Sequence, residues 1–244
     1  MALEDRNYMT GVGSRAGTAA AVDEGLRKYM LGVYNYMASG VALTGIVAWL
    51  VAFTPALRSI FFTPTGPSPL MWVAIFAPIG LVFFMSARIA HMKASTAQAL
   101  FWVYAALNGI SLSLIFVAYT GESIARVFFI TAATFAALSM WGYTTKRDLS
   151  GMGSFLFMGL IGILIASVVN IFLGSSMLQW ILSVAGVLVF AGLTAYDTQQ
   201  IKEMYYEGDG SDVAAKKSVM GALRLYLDFI NMFVMLMHLF GNRE

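Results

Sequence analysis

Seven stretches of this chain are each long and apolar enough to cross a lipid bilayer, and this constrains the fold more than any other feature. A spanning helix needs about 20 consecutive, mostly apolar residues. The qualifying segments run near Met30–Thr54, Leu70–Ala87, Ala97–Tyr119, Val127–Tyr143, Ser154–Leu173, Met177–Tyr196 and Val219–Phe240. In lipid a lone segment must satisfy its own backbone N–H and C=O groups, so each reads as an α-helix and no strand is needed. Charged residues make up only 11% of the chain, about half the share of a soluble domain. The expected fold is an all-α membrane protein of seven transmembrane helices. Residues 30–244 form the membrane domain and residues 1–29 a flexible cytosolic tail.

The connections follow from the punctuation. Only Gly174–Ser176 separates the fifth and sixth segments, which predicts a tight helical hairpin. All five prolines fall between Pro55 and Pro78; four mark the loop after the first span, and Pro78 lies inside the second, where it favours a kink. Direction follows from Lys and Arg, which concentrate on the cytosolic side. Eleven lie at one end of the bundle, in the N-terminal tail and in the loops carrying Arg88, Lys93, Lys146, Arg147, Lys202, Lys216 and Lys217. The other end has three, Arg58, Arg126 and Arg243. The N-terminus is therefore expected in the cytosol and the C-terminus outside. Small residues four apart, Ala105 with Gly109 and Ala132 with Ala136, predict close helix–helix approach.

Several function classes are disfavoured. A net charge of +2 is too small to suggest nucleic acid as a partner. With no cysteine there is no disulfide, thiolate catalysis or cysteine metal site. The N-terminal "GVGSRAG" lacks the Lys-Ser/Thr ending of a phosphate loop, and no apolar core follows a basic start as in a cleaved signal peptide.

Of thirteen acidic residues, eleven lie in tails or loops. The other two are Asp197, in "GLTAYDTQQIK" at the end of the sixth span, and Asp228, inside the seventh in "LYLDFINMFVMLMHLF". Both helices meet the cytosol at the loop joining them, and both acids are expected roughly 6–12 Å below the surface at 1.5 Å per residue. A carboxylate in the membrane is costly and marks a functional site by default. Two at similar depth on neighbouring helices tend to share a proton, which makes a proton sensor. Their oxygens also suit Ca2+, for which protons would compete. On the seventh span Arg224, Asp228, Asn231, Met235 and His238 fall within an arc of roughly 80°. Such a polar stripe is expected to face a protein interior or a water-filled path. The competing reading is that Arg224 neutralises Asp228 one turn away and the stripe is structural. Asn108 and Asn170 read as interhelical hydrogen bonds, and His238 taken alone as a packed or interfacial residue.

Other seven-span readings fail on particular residues. A retinal protein needs a lysine in the seventh span, and none follows Lys217. An intramembrane aspartyl protease would show GxGD around one acid and a later Pro-Ala-Leu element, whereas no proline follows Pro78. The GxSG of a rhomboid-type protease is missing, and no pair of interrupted spans suggests an inverted-repeat transporter. No enzymatic activity or bound cofactor is expected.

"GLTAYDTQQIKEMYYE" and "GALRLYLDFINMFVMLMHLFG" together resemble the Bax inhibitor-1, or transmembrane Bax inhibitor motif, family. "TTKRDLSGMGSFLFMGLIG" and "AQALFWVYAALNGISLS" are similar to its bacterial branch, and the resemblance runs from about Arg27 onward. It implies a seven-helix fold with the last helix central and surrounded by the other six. It also implies a pH-sensitive calcium leak channel of the inner membrane, with Ca2+ as transported ion. In the family two hydrogen-bonded aspartates on the cytosolic side form the sensor; they match Asp197 and Asp228. An arginine near the cytosolic end of the second helix latches the sensor in the bacterial branch, which makes Arg88 the candidate. Arg224 departs from the pattern and is the rival latch. The alternatives left open are a non-conducting regulatory membrane protein and a proton-coupled cation transporter.

Overall fold

Glycine, proline and small hydroxyl residues stop and start the helices. The computed structural model describes residues 4–243, with side chains from residue 24 onward. The 1–29 tail expected from the sequence thus falls largely on residues whose side chains lie outside the described residues. The packed part of α1 (Glu4–Phe53) has begun by Leu26 and Tyr29. Ser68 caps α3 (Pro69–Arg88) by accepting from Met71 N–H, with Pro69 at the first helical position. A 3-10 turn, Ile89–His91, leads to α4 (Ala94–Ala118). Thr120 caps α5 (Gly121–Thr144) in the same way through Ser123 N–H. Asp148 accepts from Ser150 at the start of α6 (Ser150–Leu173), and these hydrogen bonds hold its carboxyl below the usual aspartate range. Gly174 ends α6 with φ of 61°, a left-handed cap that glycine adopts without strain. Ser175 then caps α7 (Ser176–Glu203), so the expected hairpin forms. The last helix, α8, runs Ser211–Phe240.

Seven of these helices are long and apolar enough to cross a membrane. Several extend past the apolar segments, α8 by two turns at its start, because hydropathy marks the hydrocarbon core and not the helix ends. The segment between α1 and α3 departs from the strand-free expectation. After a short helix α2 (Pro55–Phe61), β1 (Phe62–Thr63) pairs antiparallel with β2 (Gly66–Pro67). Thr63 Oγ1 donates to the Gly66 carbonyl at 2.8 Å, and Gly66 turns at φ 134°. This hairpin lies outside the apolar segments, so lipid places no demand on its backbone.

The last helix is the central one. Along its most apolar stretch 67% of residues are buried, against 17–33% in the other spans. It packs on α7, α1, α5 and α4, while α3 leans on α4 and α6 on α7. Tyr226, Leu225, Met232 and Met237 are wholly enclosed. Buried hydroxyls tie the helices together. Thr44 Oγ1 donates to the Ala105 carbonyl at 2.8 Å and meets Tyr226 OH at 2.7 Å, joining α1, α4 and α8. Tyr34 OH, Ser139 Oγ and Thr198 Oγ1 form a chain at 2.7 and 2.9 Å through α1, α5 and α7.

The Ala105–Gly109 pair makes the expected close approach: a Cβ on Gly109 would come 2.7 Å from the Thr44 carbonyl of α1. Ala136 instead lines an open groove between α1 and α5. The outer faces carry large exposed apolar side chains such as Phe83, Phe129 and Phe172, an arrangement suited to lipid and not to water.

Candidate functional site

The turn from α7 to α8 is fastened by Lys217, whose Nζ donates to the Met204 carbonyl at 2.9 Å and pairs with Asp209. It sets two antiparallel helices side by side, and each presents one acid to the other. Asp197 and Asp228 lie within hydrogen-bonding reach. Two ionised carboxylates have only acceptors, so a bond between them requires a proton on one. Asp228 is 4% exposed, and its Oδ2 has no protein partner among the described residues. Asp197 is half-buried.

Both acids open on a cavity of about 680 Å³. It is bounded by α6 through Ser154, Phe157 and Leu160, by α7 through Phe190, and by α8 through Arg224 and Asn231. Arg224 stands one turn before Asp228, exposed at the cavity rim, and its charge acts on both carboxyls. It makes no ion pair within 4.0 Å; the two such pairs among the described residues are Lys216–Asp212 and Lys217–Asp209. Arg88 is exposed at the end of α3, which packs on α4, and it takes no part in the cavity wall.

The polar stripe is the least buried face of α8 and turns toward α6. Arg224 and His238 are exposed, Asn231 and Met235 half-buried, and only Asp228 is buried. Asn231 donates to its own helix at the Leu227 carbonyl, 2.8 Å away. His238 Nδ1 lies 3.3 Å from Gln179 Nε2 at the far end. Asn170 bonds across to Gln179 of α7 as expected of an interhelical amide. Asn108 does not: it donates to Tyr104 of its own helix. No group of three or more His, Asp or Glu able to hold a metal ion occurs among the described residues.

Some residues around the site escaped sequence reasoning. Gln199, 5% exposed, accepts from Leu149 N–H at 2.8 Å and donates to the Arg147 carbonyl at 2.8 Å. Lys202 Nζ donates to the Tyr143 carbonyl at 2.9 Å. Together they pin the α5–α6 connection to α7 one turn from Asp197. The signal was present in "DTQQIK", where an amide follows the acid at the end of an apolar span. Thr198 and its hydroxyl chain gave none, because a threonine on a spanning helix usually bonds back to its own backbone.

Fold and site together define a class: a seven-helix membrane bundle whose central helix carries a carboxyl pair shared with its hairpin neighbour. The chain belongs to the Bax1-I family, described as inhibitor of apoptosis-promoting Bax1, whose family model matches residues 26–244. It is 50% identical over 223 residues to an uncharacterized protein of Rickettsia prowazekii, covering 91% of this chain and 92% of that one. It is 48% identical over 222 residues to the inner membrane protein YbhL of Escherichia coli K12, covering 90% and 94%. A Caulobacter vibrioides protein is 47% identical over 232 residues, covering 92% of each chain.

Proposed function

We propose that this protein is a pH-sensitive calcium leak channel of the cell inner membrane, with Asp197 and Asp228 as its proton sensor and gate. The observation that carries the reading is the pair itself: two carboxyls in hydrogen-bonding reach, one of them buried, at the edge of a cavity inside a spanning bundle. While one proton is shared, the pair holds α7 to α8. When that proton leaves, two anions face each other, and the cavity gains carboxylate oxygens of the kind Ca2+ takes. Two carboxylates are fewer than a tight Ca2+ site uses, which suits an ion that passes and does not stay. Calcium as the ion comes from the family resemblance, and the inner membrane from the name of the Escherichia coli relative. Arg224 is the cation placed to compensate the ionised pair.

Purified protein in liposomes, with no other protein present, tests this directly. A trapped Ca2+ indicator should report a leak whose rate changes with pH and vanishes in empty vesicles. No leak at any pH would sink the channel reading and favour a regulatory protein acting through partners. A flux that saturates and requires a counter-ion would make the protein a transporter.

A further inference from the structure

Two of the cavities along α8 offer a cation different things. One, of about 440 Å³, lies between α1, α4, α5 and α8 toward the external end. Phe116, Phe128, Phe229 and Phe233 wall it. A divalent ion there would shed its water against rings that supply no replacement ligand. The other is the acid-pair cavity. Along α8 it ends at Asn231, and Met235, one turn further, is not part of its lining. Met235 lies instead on Gly186 of α7: a Cβ built on that glycine would come 2.8 Å from Met235 Cγ and 3.0 Å from Sδ. One turn beyond Met235 the polar contacts resume, with His238 against Gln179 and Gln179 against Asn170, both at 3.3 Å. The α7–α8 seam thus reads acid pair and amide, then a thioether, then amides and an imidazole.

We propose that the ion path follows this seam beneath α6, and that Met235 seated on Gly186 is the plug that separates the acid-pair cavity from the His238 end. This rests on the reading of the protein as a conducting one, but not on calcium as the ion. Methionine suits the task. It is apolar enough to keep a narrow point dry, as hydrophobic constrictions in channels are. It is also unbranched with three rotatable bonds, so it can swing aside by a rotamer change without moving a helix. Gly186 supplies the seat, since any side chain there would occupy the space that the thioether fills. The phenylalanine-walled cavity takes only apolar residues from α8, and the Thr44 hydroxyl on its wall is engaged by the Ala105 carbonyl and Tyr226 OH, so in this scheme it stays dry.

The chain has no cysteine, so a single introduced thiol reports alone. The test uses Asn231→Cys and His238→Cys in membrane vesicles of either sidedness, treated with a small membrane-impermeant cationic thiol reagent. Asn231→Cys should react only from the Arg224 side and His238→Cys only from the opposite side. Adding Met235→Ala should let Asn231→Cys react from the His238 side about tenfold faster, since only a hydrated thiolate attacks the reagent. Met235→Leu, which keeps the bulk, should leave it closed. Phe233→Cys, on the wall of the other cavity, should stay unreactive throughout. The proposal is overturned if Asn231→Cys remains closed from the His238 side beside Met235→Ala. It is overturned equally if Phe233→Cys reacts in its place, or if Met235→Ala makes Phe233→Cys reactive together with Asn231→Cys, which would make the methionine packing and not a plug. Labelling needs no calcium. The expected pattern in a protein that leaks no Ca2+ would sink the calcium reading and leave the plug standing. A Ca2+ leak with the wrong pattern would do the reverse.

Discussion

Among the described residues, Asp228 has one oxygen unpartnered, and two side chains answer its charge: Asp197, which can share a proton, and Arg224, which can neutralise it. Because a shared proton belongs to the pair, replacing either acid removes the same titration. Asp197→Asn and Asp228→Asn should each flatten the pH dependence of Ca2+ leak in liposomes, and the double variant should change it little further. A double variant that keeps the wild-type pH profile would show that the pair is not the sensor. The arginines separate on the same assay. Arg224 acts on both carboxyls, whereas Arg88 is exposed on a helix that packs on α4. Arg224→Ala should therefore move the pH profile and Arg88→Ala leave it in place. The opposite result would mean that α3 reaches the pair in a second arrangement of the bundle, with Arg88 as the latch.

At the scale of elements, the site depends on how closely α5, α6 and α7 approach. A Cβ on Gly142 of α5 would overlap the Ala195 carbonyl of α7, and one on Gly153 of α6 would overlap the Tyr196 ring. The Gly142 contact is against backbone, so nothing flexible can yield. Gly142→Ala should lower stability by about 1–3 kcal/mol, as overpacking does. Gly151→Ala, where the added Cβ meets nothing within 4 Å, should cost little. Thermal unfolding in detergent compares the two; equal melting temperatures would show that the α5–α7 contact is looser than described. The seven helices, and one acid on each of the last two, could be read from the sequence, because apolar length and a lone charge in it are local signals. Ala105 and Gly109 were legible as a contact for the same reason. Gly142 and Gly153 were not, since a small residue marks a close approach only once its partner helix is known. The stripe on α8 was legible as a stripe. Its turning toward α6 was not, because that depends on which helices fill the other sides.

For the whole molecule, the distribution of basic residues argues which end faces the cytosol. The structure sharpens the charge argument by showing what the basic residues at each end do. At the end with three, Arg126 donates to the Phe240 carbonyl at 3.1 Å and Arg243 lies over the Tyr119 ring at 5.8 Å, so two are occupied with the protein. The C-terminal residues are fastened there as well: Thr120 N–H donates to the Asn242 carbonyl at 3.0 Å, and Asn242 N–H to Ser123 Oγ at 3.2 Å. At the opposite end Arg27, Lys28, Arg88, Lys93, Lys146 and Arg147 make no ion pair within 4.0 Å among the described residues. They face the solvent or the headgroups. Moving each such charge outward against the membrane potential costs roughly 2 kcal/mol per 100 mV. That cost falls almost wholly on the reverse orientation, which favours the acid pair at the cytosolic end and the C-terminus outside. A reporter active only in the cytosol should then work when inserted between Glu207 and Asp212 and fail when fused after Glu244, and an externally active reporter should do the reverse. Both sites on one side would mean that α8, though 30 residues long, enters and leaves the membrane by the same face, and the seven-span topology would fall.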